Sequence, residues 1–289
     1  MPQIDFIIPA RNIDALHRTL SMLAFQKASA PRAFVVDLTG TSAAKAMAAE
    51  FDTRLNVQAV EPELTGEPVW KQWLAADASA EWVCFLGTDV DLTASSVRRM
   101  SRCIDGHAGY DAFRWNLAEP WRKSGLRTRP EKLFTQVFVD GEAAPLSSFV
   151  FRAQALREAF AADPEAAGMD LAVILAGAKK TGIRTVRWER IGYRSPAASD
   201  DPARLEKDVR ARLAFFRWSE RYFGEEYPLG TGDRLKLFAE ELARLYPSFT
   251  YEELKEDLNT FAVVNGPIRK MKAASALKAA LKARQESLK

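Results

Sequence analysis

Two cysteines and two histidines in 289 residues leave little room for whole classes of chemistry. Cys84 and Cys103 offer no disulfide framework and no spaced ligand set, so they read as small hydrophobes in a reducing compartment. Neither His17 nor His107 is well placed as a metal ligand. No window approaches the ~20 consecutive apolar residues that crossing a bilayer requires. The N-terminus lacks the basic-then-apolar pattern of a signal peptide, so a cytoplasmic protein is expected. No Gly-x-Gly-x-x-Gly and no Gly-x-x-x-x-Gly-Lys-Ser/Thr follows any apolar run, which argues against a dinucleotide fold and a P-loop. Aromatic and basic residues are not interleaved in the way single-strand binders use them, so no nucleic-acid partner is expected.

What is present is ample: 47% hydrophobic and 27% charged residues, enough for one large domain or a domain with an appendage. The net charge of +3 hides an asymmetry. Seven bases stand against one acid, Glu286, between 268 and 289, so a mildly acidic body carries a basic tail.

The informative stretch runs from Glu81 to Asp91. Trp82 to Leu86 form a short, mostly apolar run, the pattern of a strand buried on both faces. It leads into a polar turn carrying Asp89 and Asp91. Thr93 or Ser95 then caps a helix through Val97, Met100 and Cys103. Acids at the carboxyl end of such a strand sit where open α/β sheets place ligands. An acid-x-acid pair there suits a divalent cation, although Asp is equally at home in turns and caps.

The same alternation fills the first ~105 residues and gives a parallel sheet with right-handed crossovers. Strands are expected over Ile4–Ile8 (stopped by Pro9), Ala33–Asp37, Leu55–Val60 and Trp82–Leu86. Helices pass through Leu16, Leu20 and Leu23, through Ala44, Met47 and Phe51, and through Val69 to Asp77. Later, Asp111–Asn116 alternates like a half-exposed strand, 118–132 reads as irregular, and Ser147–Phe151 as another strand. A helix opening at Gly168-Met-Asp170 ends at Gly182, before a last strand around Val186. Leu205, Val209, Leu213 and Phe216, then Leu235, Phe238, Leu242 and Leu245, mark helices. Thr250-x-x-Glu253 is a capping box. The chain thus divides into an α/β domain over 1–199, a helical extension over 200–267 and a basic tail over 268–289. Leu277, Leu281 and Leu288 give that tail a weak apolar face. Contact with anionic lipid at the inner membrane face, or docking on a protein partner, would suit it.

Several landmarks together resemble the inverting, family-2-type glycosyltransferases of GT-A fold. They are Phe6-Ile-Ile-Pro-Ala-Arg-Asn12 with Gln26, then Val35-Val-Asp37, Ala80 to Asp91, Gly168-Met-Asp170 and Tyr193-Arg194. They occur in family order across 4–196. The resemblance implies a nucleotide-sugar donor of UDP type, a Mg2+ or Mn2+ ion, and transfer with inversion to a glycan or glycolipid acceptor in surface-polysaccharide synthesis. It implies Asp170 as general base and Asp89 and Asp91 at the metal. Pro9, Arg11, Asn12, Asp37, Lys71, Thr88, Asp89 and Arg194 are implied to lie around the donor. For the acceptor, aromatic faces suit sugar rings and guanidinium groups suit anionic substituents, which points to Trp115, Trp121 and Arg122.

The sequence departs from that pattern. Gly87 stands where an acid usually follows the strand, Leu38 where the nucleotide strand carries a second acid, and Met169 before Asp170. These departures motivate a second reading, a GT-A-shaped protein that has lost transfer activity and serves as a binding or scaffold subunit.

Overall fold

The structure is a computed structural model. It describes residues 2–27, 31–39, 41–51, 54–60, 80–87, 90–117, 127–129, 145–163, 170–193, 218, 239, 243, 250–255 and 266–287. The chain forms two compact units, Met1–Pro196 and Ala197–Lys289.

In the first unit the strands are β1 (Ile4–Ala10), β2 (Arg32–Asp37), β3 (Asn56–Val60), β4 (Trp82–Phe85), β5 (Val90–Asp91), β6 (Ala112–Leu117), β7 (Arg127–Thr128), β8 (Phe149–Arg152) and β9 (Ile183–Tyr193). They lie in the order β3-β2-β1-β4-β8-β6-β9-β5, and β7 also pairs with β9. Strands β1 to β4 are mutually parallel, as are β6 and β9; β8 runs antiparallel between β4 and β6. The expected buried strand is confirmed: Trp82, Val83, Cys84 and Phe85 are all buried. Buried on both faces, β4 draws on its apolar run rather than on alternation.

Three expectations are corrected here. Pro9 does not stop β1, which continues to Ala10, with Pro9 opposite Val36 and Ala10 opposite Asp37. Pairing with β4 extends only as far as Ile7, so the missing proline N–H removes no bond from that side. The strand around 111–116 is not half-exposed. Ala112, Phe113, Arg114 and Trp115 are all buried, because β6 lies between β8 and β9 rather than at an edge. The region expected to be irregular also contributes Arg127–Thr128 to the sheet.

The helices are α1 (Ile13–Ala24), α2 (Ala43–Phe51), α3 (Ser96–Asp105), α4 (Ala153–Ala162), α5 (Asp170–Ala178) and α6 (Gly266–Ser287). Leu16, Leu20 and Leu23 of α1 are buried as their spacing predicts. In α5 every described position from Ala172 to Ala176 is buried, together with Ala178. A helix apolar all round belongs inside a protein, and this one packs against α4 and β8. Gly182, at φ 76°, turns the chain from α5 into β9 and donates its N–H to the Ala178 carbonyl.

In the second unit, Thr250 donates both its backbone N–H and its hydroxyl to Glu253, which realises half of the capping box. Gly266 and Pro267 are the first residues of α6, where proline is tolerated. Of the leucines expected to form the tail's apolar face, Leu277 and Leu281 are buried and Leu288 lies outside the described residues. The Lys278 ammonium sits 4.4 Å from the Tyr251 ring centroid. No described helix is long and apolar enough to cross a membrane. The expected helix over 69–77 and the stripes at 205–216 and 235–245 fall outside the described residues.

Two predictions follow from the packing. A methyl group on Gly177 would lie 2.6 Å from Phe151 Cδ1 and 2.9 Å from Leu156 Cδ2. Gly177→Ala gains about 1 kcal/mol of helix propensity but overpacks the core by ~1–3 kcal/mol, so urea unfolding should show no gain or a net loss. A clear rise in stability would remove the contact. Burial raises the Cys103 thiol above its ordinary value, offset in part by the Arg184 guanidinium. Its thiolate fraction at about pH 8 is therefore below that of a free cysteine, and iodoacetamide should label it more slowly than a model thiol.

Candidate active site

Because β1, β2 and β4 are parallel, their carboxyl ends share one edge of the sheet, and the polar turns gather there. Asn12 caps α1 by accepting the Ala15 N–H at 3.0 Å, while Arg11 is exposed and Pro9 half-exposed. Next to them in register, Asp37 ends β2. One of its carboxylate oxygens, Oδ1, accepts from the backbone N–H and the hydroxyl of Thr39, at 2.8 and 2.6 Å. The other, Oδ2, is buried and has no hydrogen-bond partner among the described residues. A buried carboxylate oxygen left in that state costs free energy, and it marks a place where a donor group is wanted.

Asp91 reaches the same edge by another route. Strand β5 pairs antiparallel with the end of β9, with Val90 opposite Tyr193 and Asp91 opposite Gly192. A β-carbon on Gly192 would lie 3.2 Å from Asp91 Cβ and 3.4 Å from its Oδ2. Glycine at 192 is what lets the Asp91 side chain lie over the neighbouring strand. Asp91 is half-buried.

Asp170 is the first residue of α5 and is exposed. A short turn joins the end of α5 to the start of β9, so the helix runs against that strand and begins at the strands' carboxyl edge. It also packs on the 146–148 turn, from which the antiparallel β8 departs at that same edge. Asp170 is thus the polar end of an otherwise buried helix, where an acid also suits the helix dipole.

The structure therefore brings Pro9, Arg11, Asn12, Asp37, Asp91 and Asp170 to one edge. It treats Trp115 differently: the ring is fully buried in β6 and its Nε1 lacks a partner among the described residues, so no face is open to a sugar. Lys71, Thr88, Asp89, Trp121, Arg122 and Arg194 lie outside the described residues. Among the described residues no three His, Cys, Asp or Glu side chains cluster as a metal cage. That donor set does not exclude a cation completed by substrate, since Mg2+ is held by one or two carboxylates together with phosphate oxygens.

The segment that follows Asp91 is held by residues the pattern of the sequence did not single out as a group. Gln26 donates to the Thr93 carbonyl at 2.8 Å and accepts the Val97 N–H at 3.1 Å, satisfying one open donor at the start of α3. Ser95, expected as a cap, precedes α3 but makes no capping bond. Glu189, buried in β9, accepts from Thr93, Ser96 and Arg99. Their signal is tertiary: the partners lie far apart in sequence.

No family model and no curated protein matches the chain. Solved structures do. S. aureus TarS 1–349 in complex with UDP superposes with a TM-score of 0.63 at 14% identity, over 99% of this chain and 91% of that one. The same protein in complex with UDP-GlcNAc gives 0.58 at 14% identity, again over 99% and 91%. The mannosyltransferase PcManGT from Pyrobaculum calidifontis, in complex with GDP-Man and Mn2+, gives 0.52 at 16% identity, over 99% and 86%. The chain has the GT-A-like glycosyltransferase fold: a mostly parallel sheet flanked by helices, with a C-terminal helical part.

Proposed function

We infer that this protein is a glycosyltransferase that moves a sugar from a nucleotide-sugar donor to a hydroxyl of a glycan or glycolipid, with inversion. The observation that carries the reading is the unpartnered, buried Oδ2 of Asp37 at the carboxyl edge of a GT-A-like sheet. It is an acceptor waiting for an N–H or O–H, as a nucleoside provides. The likeness to proteins solved with UDP, UDP-GlcNAc and GDP-Man supports the donor class.

In this reading Pro9, Arg11 and Asn12 border the nucleotide and diphosphate. Asp91, with Asp89 two residues earlier, would hold a divalent cation, which when bound neutralises negative charge developing on the departing diphosphate. Asp170 takes the proton from the acceptor hydroxyl as its oxygen attacks the anomeric carbon. The bond from that carbon to the diphosphate oxygen breaks, the nucleoside diphosphate leaves, and the configuration inverts. The buried body of α5 keeps the Asp170 carboxylate in place. Any contact with an anionic surface would run through Lys278 and Lys282 of α6, because its leucines are buried.

Thermal unfolding with UDP, GDP and CMP compounds, each with and without Mn2+, tests the assignment. One nucleotide should raise the midpoint, and more so with metal; saturation to about a hundredfold over Kd stabilises by roughly 2.7 kcal/mol. Asp37→Asn should weaken that nucleotide by about tenfold. No shift with any compound favours the scaffold reading.

Release of nucleoside diphosphate from the responding sugar nucleotide tests the base. Asp170→Asn should slow it by ~10²–10⁴ while donor affinity stays as in the parent. Unchanged release takes Asp170 out of the role.

A further inference from the structure

Glu189 is 1% exposed, on a strand whose partner register is broken around it. Arg114 of β6 faces Thr185 of β9, yet Asn116 faces Arg190, so two steps along β6 span five along β9. The surplus residues bulge, and bulges re-aim side chains next to sites. Here the re-aimed side chain is a carboxylate. Its Oε1 accepts from the Ser96 hydroxyl and, at 3.0 Å, from the Thr93 hydroxyl; its Oε2 accepts from Arg99 at 2.8 Å. Ser96 in turn accepts the Thr93 N–H at 2.9 Å.

A buried charge is costly unless it is fully paired, and an apolar side chain would hold β9 against α3 without that cost. What the carboxylate adds is direction. Gly192, three residues further along β9, pairs with Asp91, and Thr93, two residues beyond Asp91, is bonded to Glu189. The segment from 91 to 93 is therefore pinned at both ends to one stretch of β9. On its other flank Gln26 holds Thr93 and Val97, and Lys27 donates its N–H to the Ala94 carbonyl at 2.9 Å.

We propose that Glu189 is a positioning residue: it sets where the Asp91 carboxylate stands relative to the diphosphate and its cation. The proposal rests on the glycosyltransferase reading for its ligand, but its structural core stands apart from it. It touches no reacting atom. Its influence passes through Thr93, Ser96 and the backbone to Asp91.

Hydrogen exchange and nucleotide affinity, measured on the full chain, test it. Glu189→Gln keeps the volume and weakens the hold on Arg99. Arg99→Gln cuts the same contact from its half-exposed side, so the test survives if the first variant folds poorly. Arg152→Gln is the control; it removes ion pairs with Glu81 and Asp111 where β4 and β6 begin, away from the candidate site. In both test variants, amide exchange over 91–97 should accelerate roughly tenfold while β1, β2 and β4 exchange as before. The Mn2+-dependent gain in UDP or GDP affinity should shrink by about tenfold and the metal-free affinity stay within about twofold. The control should lose stability and leave both readouts alone.

Unchanged exchange over 91–97, or acceleration spread evenly over the sheet, overturns the proposal, as does equal loss of metal-free and metal-dependent affinity. If the parent binds none of the UDP, GDP and CMP compounds, the functional reading falls, and the exchange result by itself decides the clamp.

Discussion

Parallel strands cannot satisfy their backbone groups alone, and β1 is the strand on which this fold turns. It gives its hydrogen bonds to β2 on one side and β4 on the other, and the register carries Phe6 beside both Ala33 and Cys84. With those three strands parallel, every turn that follows them must appear at the same edge. At the opposite edge the sheet is closed by charge: Asp5, fully buried, is bound bidentately by Arg32, with both contacts at 2.7 Å. Arg152 ties Asp111 and Glu81 together and lies over the Trp82 ring at 4.7 Å. Ion pairs thus hold the edge where the strands begin, while at the other edge Asp37 Oδ2 is buried without a hydrogen-bond partner among the described residues.

The second constraint is how the Asp91 segment is fastened. A loop free to move would leave the carboxylate in solvent without a fixed position. Here Met22 and Gln26 at the end of α1 hold it from one side and Glu189 from the other. Most of these contacts are buried or partly so, where hydrogen bonds to charged groups are stronger than at the surface. Bulge, glycine and buried glutamate on β9 belong together: the bulge aims Glu189, and Gly192 leaves space for Asp91.

These features bear on the departures of the sequence from the glycosyltransferase pattern. Leu38 replaces a second acid beside Asp37, yet Asp37 already has one oxygen anchored by Thr39 and one unpartnered, so a single acid suffices to present an acceptor. Gly87 removes an acid from the end of β4, while Asp91 enters the same edge from β5. Under the proposed reading, such an arrangement would fit a cation shared with substrate rather than one caged by protein.

The apolar runs and helical spacings of the first hundred residues determined the sheet, its parallel strands and the edge where acids collect, because local pattern fixes strand and crossover when both faces are buried. The same holds for α5, whose apolar sequence demands burial and leaves Asp170 at its end. Tertiary structure alone decided that β6 is central and Trp115 enclosed, since alternation cannot tell an edge strand from an inner one. It alone decided that β1 runs past Pro9. It also brought Gln26, Ser96, Arg99 and Glu189 together, although Ser96 and Glu189 alone are 93 residues apart in sequence. A lone glutamate in a strand carries no mark of its partners, because they are chosen by how β9 bulges and where α3 packs on it.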